Sequence, residues 1–516
     1  CAAKRRAPRW VAVMQRRQFL QRVGASAAVA AGGLALPRSL RAASPSQVWG
    51  DYPAAHKQWQ VGEDKRAKRV LDIMLAGGIS PWESFYVVPA YGVADQTLWW
   101  TFQNGANSIK AWHQQCNGYS APLTQPWLTD AAGASVHLGP HVVALRQRPD
   151  VLARMRVLVM QHKIEPHEAA IPIAVTGSPI GAANAASLGA VVQHAALAAA
   201  NGALAQPTSY ALSYRYEGNF IGRTMYAHGS HPVASRPIDI SLFESANLIK
   251  TLQRQGLAGQ HAKVDALAAY YSEQFGKRLS PAGGALPARA PAWFDHAFAT
   301  QVLSNAPALA KILDSGIFAP SSVQACGKSL SPSVSRMQLQ VAAHLLQQPG
   351  GPVRHMAVMD SGISPGSQGW DAHSDHVKDS AVAADAFWSE LMAIIRAPGE
   401  VAPHKIDLDE TMIVINTEFG RTPGKQGNQG RNHWPYGYVT LMIGGPIGTQ
   451  QAGLRGSINQ FGIAKGGITP VQQRAAVLTA MGIWPFAPEC YPVGLFPGGG
   501  DGAAAKWLRD DVLGLA

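Results

Sequence analysis

Four apolar, strand-like runs in this chain each end in side chains that can bind metal or move protons. The run 411–417 leads into Glu418, Arg421 and, after a loop, His433. The run 157–160 is followed by His162 and His167, and 70–75 by Gly77, Gly78, Ser80 and Glu83. The fourth run, 355–359, precedes Asp360, Asp371 and His373. Carboxylate oxygen and imidazole nitrogen together suit zinc or another divalent transition metal. In open α/β sheets, sites form beyond the carboxyl ends of the strands. The pattern therefore points to a metal or hydrolytic centre at one sheet edge.

Each residue also has a plainer role. Arg421 could bind an anionic group bidentately or simply neutralise Glu418. His433 and His167 read as ligands or as structural and capping residues. The Gly77-Gly78 loop could let backbone N–H groups approach an anion, or be a tight turn. Ser80 is a nucleophile candidate without an adjacent base in sequence. His228 and His231 read as loop histidines. The chain has no GxSxG elbow, P-loop, GxGxxG or HExxH pattern.

The elements that must carry these groups alternate. Strands are expected at 69–76, 156–161, 411–417 and 438–443. Helices are expected at 140–155, from 167 onward, at 381–395 and at 470–482. Strand–helix alternation implies an α/β domain with a parallel sheet. Between 181 and 350 the pattern turns Ala-rich and helical, with 185–205, 242–279 and 297–313 as helices and one strand at 208–216. That stretch reads as a helical insertion or cap.

The amino-terminal stretch reads as an export signal. Met14 is read as a start, with 1–13 upstream of it. Arg16-Arg17-Gln18-Phe19-Leu20 precedes an Ala/Gly-rich apolar run and the small residues Ala42-Ala43. A basic region, a short apolar run and a small-residue cleavage site describe a signal peptide, and paired arginines indicate the twin-arginine route. The expected organisation is a leader over 1–43, a lead-in over 44–66 and a single domain over 67–516. The expected location is periplasmic or secreted, with the twin-arginine translocase as export partner. No later run is long and apolar enough for a membrane span.

The formal charge of +12 suggests nucleic acid only at first sight. Nine basic residues and no acid lie within 1–43, and subtracting them leaves +3 for the rest. Without a basic run interleaved with aromatics, nucleic acid binding is not expected. Cys116, Cys326 and Cys490 are far apart and odd in number, so they read as idle thiols rather than a disulfide framework.

Taken together, these residues resemble the bacterial domain-of-unknown-function 1501 family, placed in the alkaline phosphatase and sulfatase superfamily. The resemblance rests on the leader, Gly77-Gly78, His167 with Thr176-Gly177, Trp370-Asp371-Ala372-His373, Glu418-Phe419-Gly420-Arg421-Thr422-Pro423, His433 and a last helix over 475–482. It implies an alkaline-phosphatase-like three-layer α/β/α sandwich with a mostly parallel sheet. It also implies a divalent metal, zinc or similar, held by Asp371, His373, Glu418 and His433 with His167 close by. Arg421 would then orient a small anionic phosphate or sulfate ester, with Ser80 as a candidate nucleophile. Two positions depart from the family pattern. Ser80-Pro81-Trp82-Glu83 stands where the family has Ser-His and then Asp, and Asn432 stands where it has Asp. These departures favour an alternative, a catalytically inactive exported binding or assembly protein on the same fold.

Overall fold

The computed structural model describes residues 48–94, 116, 123–178, 186–200, 208–213, 237–242, 263, 266–267, 270–271, 273–274, 315–365, 367–427, 430–488 and 490–516. The leader, His228 and His231, and most of 242–313 lie outside the described residues. Val48–Ala516 forms one compact unit.

Eight strands build the central sheet: β1 (Arg69–Leu75), β2 (Met155–Met160), β3 (Ser209–Ser213), β4 (Ile238–Ser241), β5 (His355–Asp360), β6 (Thr411–Asn416), β7 (Tyr438–Gly444) and β8 (Gly453–Arg455). Their spatial order is β8-β2-β7-β6-β1-β5-β3-β4. All neighbours pair in parallel except β7, which is antiparallel to β6 and β2. The sheet is thus mostly parallel, as the alternating pattern suggested.

The strands are apolar on both faces because both faces are covered. Leu71, Ile73, Ile413, Ile415, Met356 and Val358 enter one core with Phe387, Trp388 and Leu391. Those last three come from helix α4 (His376–Ile394), which packs beside α3 (Val334–Leu346). The alternate residues Val70, Met412, Val414, Leu158 and Met160 face a second core with Val477 and Leu478 of α5 (Pro470–Ala480) and with α2 (Leu188–Ala199). Helix α1 (His167–Thr176) lies on that same face, where Ile171 and Ala174 meet Met74 and Met359.

Three expectations need correction. Within 181–350, the described residues supply β3 and β4 to the sheet and α3 to its face, so this part of the stretch is not a cap. The run 237–242 is too short and too mixed in polarity to stand out as a strand without its neighbour β3. The expected helix over 140–155 is broken into three short turns, Pro140–Val142, Val143–Arg146 and Pro149–Leu152. Pro149 lacks the N–H that would continue the helix. Cys116 and Cys326 are also not idle thiols: they form a disulfide across 210 residues. No spacing rule reveals a pairing at that separation.

Candidate functional site

The strand directions bring the candidate residues to one edge. β1, β2, β5 and β6 run the same way, so the segments after them emerge together. The excursion 417–437 leaves β6 and returns through the antiparallel β7. His433, five residues before Tyr438, therefore comes back to the edge where Glu418 departs. A two-strand ladder pairing Arg421 with His433 fixes that return.

His167, Asp371, His373 and His433 each point one ligand atom into a space where all four atoms lie within 4.8 Å of one another. His373 Nε2 is 3.0 Å from His433 Nε2 and 2.9 Å from Asp371 Oδ1. His433 Nε2 is 3.6 Å from that same oxygen, and His167 Nε2 is 3.3 Å from Asp371 Oδ2. Ligand bonds of about 2.0–2.2 Å place the donor atoms of a tetrahedral ion about 3.4 Å apart. The observed separations bracket that value.

The other nitrogen of each ring sets its tautomer. His433 Nδ1 lies 3.0 Å from the Glu165 carbonyl oxygen, which can only accept, so Nδ1 carries the hydrogen. His167 Nδ1 donates to Glu418 Oε1 at 2.7 Å, and His373 Nδ1 donates to Gln426 Oε1 at 2.8 Å. In the neutral rings, all three Nε2 lone pairs then face the centre. Two bare lone pairs 3.0 Å apart repel unless a proton or a metal cation lies between them.

The local charges favour a cation at that centre, and with no metal bound His167 itself supplies it, carrying hydrogen on both ring nitrogens. Burial would depress the His167 cation, but hydrogen bonds to Asp371 and Glu418 outweigh it and raise the group to about 9. Burial would raise the Asp371 carboxyl, yet His167, His433 and Arg421 hold it far below the usual carboxylate range.

Glu418 stands one layer back. It is fully buried, accepts from His167 Nδ1, and accepts the Gly77 N–H at 2.8 Å. The anion met by the glycine loop is thus the chain's own carboxylate. Gly77 must be glycine there: its φ is +128°, and a Cβ would come within 2.5 Å of the Asp371 nitrogen. His162 supports the same turn, with Nδ1 accepting the Ile164 N–H and Nε2–H donating to the Glu418 carbonyl at 2.5 Å.

Arg421 does not face solvent. Its side chain is fully buried and donates to Asp371 Oδ1 at 2.5 Å, to the carbonyls of Gly78, Trp370 and Arg431, and to that of Gly77. It orients Asp371 from behind and has no fork left for an ester. Ser80 is likewise buried and is not among the four converging residues. The expectation of Ser80 and Arg421 as substrate-facing groups is corrected on these grounds. Close packing of the Gly77–Gly78 loop against the 418–423 turn leaves them no access.

A buried ion pair holds the turns together. Arg431 donates through Nε and Nη2 to Glu83 Oε1 at 3.1 and 2.6 Å, and through Nη1 to the carbonyls of Thr422 and Pro423. Sequence reading missed this role. The signal available was Glu83 itself, a single carboxylate between the uncharged stretches 73–82 and 84–94. Burial would raise the Glu83 carboxyl, but Arg431 foremost brings it down to about 2. His376 is pushed well below its ordinary value by burial, so Arg431 is the cation that matters.

A depressed carboxyl contributes stability that is complete above its unfolded value and is lost as pH falls through the folded one. Between about pH 4.5 and pH 2, Glu83 is expected to withdraw about 3 kcal/mol of stability. Urea midpoints measured across that range should fall more steeply for the natural chain than for Glu83→Gln. Equal slopes would remove Glu83 from the acid response.

Residues 320–485 match the model of a family described as protein of unknown function (DUF1501). This supports assigning that region to the domain family. The matched stretch contains Asp371, His373, Glu418, Arg421 and His433, while His167 lies outside it. No curated protein matches the chain.

Proposed function

We propose that this chain is an exported, metal-dependent hydrolase-like protein on an alkaline-phosphatase-like fold, acting on phosphate or sulfate esters. The observation that carries the reading is the convergence of three Nε2 atoms and one carboxylate, each histidine donating its other N–H to a fixed acceptor. Metal-binding histidines characteristically show that arrangement. His167, Asp371, His373 and His433 would hold a divalent ion, zinc or similar, with Glu418 and Arg421 orienting two of them. A bound ion there would act as a Lewis acid on an ester oxygen or activate a water. Asp371, about two-fifths exposed, keeps one side of the cluster open to solvent.

The basic leader and the small-residue run at Ala42-Ala43 support export through the twin-arginine translocase to the periplasm or beyond. Among the described residues, no helix is long and apolar enough to cross a membrane.

One observation favours a second reading. With Ser80 buried and the Arg421 donors engaged, no side-chain nucleophile or cationic clamp faces the cluster among the groups expected to act. The same metal centre would then be structural, in an exported binding or assembly protein.

The deciding test is hydrolysis of aryl phosphate and aryl sulfate esters by metal-loaded protein, beside an EDTA-treated sample and His373→Ala. Turnover that disappears in both controls and returns on adding metal supports the hydrolase. Metal-loaded, folded protein without turnover on either ester class rejects it in favour of the binding protein.

A further inference from the structure

The amino ends of β1 and β5 open on the far side of the sheet from the histidine cluster. A seven-residue strand spans about 20 Å, at about 3.3 Å per residue, so the two edges are well separated. A cleft of about 580 Å³ lies at this far edge, within the roughly 300–1,000 Å³ typical of small-molecule sites.

Its charges are unevenly paired. Arg66, Lys68, Arg69 and Arg354 line it, against Asp51, Glu63 and Glu410. Lys68 and Arg69 share one carboxylate, with Glu410 oxygens at 2.8 and 3.3 Å. Neither Arg66 nor Arg354 has a side-chain hydrogen bond or ion pair among the described residues. The Arg66 Nε is buried without an acceptor, a condition folded chains avoid unless solvent or a ligand supplies one.

Two glycines make room for the guanidinium groups. At Gly482, with φ +75°, a Cβ would stand 3.1 Å from Arg66 Nε. At Gly351, with φ +59°, a Cβ would stand 3.0 Å from Arg69 Nη2. Both arginines therefore lie against bare backbone in the wall of the same cleft. Arginine suits planar, bidentate recognition of phosphate and carboxylate.

We propose that this cleft is a binding site for a small polyanion bearing two or more phosphate or carboxylate groups, held chiefly by Arg66 and Arg354. It is a separate site from the histidine cluster and does not depend on a metal there.

The test is calorimetric titration of the full chain with inorganic pyrophosphate and, separately, with citrate. The natural chain is compared with Arg66→Gln/Arg354→Gln, with Arg354→Gln alone and with Asp371→Ala. The expected result is binding that weakens by roughly tenfold or more in the double variant, a change of about 1.4 kcal/mol. Binding should persist in Asp371→Ala and fall as salt rises from about 50 to about 300 mM, because exposed charges are screened. Preference for pyrophosphate assigns the site to phosphates, and preference for citrate to carboxylates. Arg354 is exposed, so its single variant carries the test if the double variant does not fold. No heat with either anion, unchanged affinity in the arginine variants, or loss of binding in Asp371→Ala would each overturn the proposal.

Discussion

One divalent cation per chain is the expected result of elemental analysis on the folded protein, and none is expected in an Asp371→Ala/His433→Ala variant. The reasoning is geometric before it is chemical. Four donor atoms, one from each residue and all within 4.8 Å of one another, form a cage the size of one ion. Three of them are imidazole Nε2 atoms whose orientation is fixed by hydrogen bonds on the opposite side of each ring. Removing Asp371 and His433 takes away the only carboxylate in the cage and one of three nitrogens. Complete four-ligand structural sites in zinc-finger peptides bind zinc with about 10–16 kcal/mol of apparent free energy at neutral pH. A two-donor remnant should not hold metal through dialysis. Glu418→Gln is the subtler companion: it keeps the side-chain shape but weakens the acceptor of the His167 N–H. It is expected to lower metal affinity by about 10- to 100-fold. Metal retained by the double variant, or absent from every sample while circular dichroism stays native, would end the metal reading.

Replacing Arg431 with Met is expected to destabilise the fold by about 3–5 kcal/mol, the cost of leaving a buried charge without its partner. Glu83 and Arg431 are almost wholly inaccessible, with side chains 2% and 0% exposed. Without Arg431, Glu83 would either hold an unpaired charge in a site that water cannot reach or take up a proton, and both cost stability. The loss should reach the candidate site too, because Arg431 ties the 422–423 turn to the segment carrying His433. The Arg431 carbonyl also accepts a hydrogen bond from Arg421. Urea unfolding of Arg431→Met, with Glu83→Gln/Arg431→Met beside it, checks the cause. The double variant removes the orphaned charge and should recover a large part of the loss. A single variant within about 1 kcal/mol of the natural chain, inside the range of ordinary surface substitutions, would mean the pair adds little.

Much of the α/β character was legible because it depends on local periodicity. The runs at 69–76, 156–161 and 411–417 are apolar without alternation, as strands covered on both faces must be, and they form β1, β2 and β6 within a residue or so. Helices over 167–176 and 470–480 were equally visible. Short strands such as Ile238–Ser241 and Gly453–Arg455 were not, since a few residues become a strand only when a neighbour supplies the ladder. The broken segment after Pro140 shows the reverse: its composition read as one helix, and Pro149 divided it.

The sequence by itself determined which residue types could do chemistry and which end of each strand would present them. The order of apolar run followed by His, Asp or Glu is enough for that. Only the tertiary structure decided which of those groups meet. Asp371, His373, His433 and His167 converge because β7 runs backwards beside β6 and returns His433 to the edge where Glu418 leaves. Arg421 and Ser80 have the same side-chain chemistry in the linear chain as in the fold. Their burial follows from the close approach of the Gly77–Gly78 loop to the 418–423 turn, residues more than three hundred positions apart. Local sequence encodes side-chain chemistry and backbone preference; the solvent access and mutual distance that turn a polar group into a ligand, a support or a buried charge come from long-range packing.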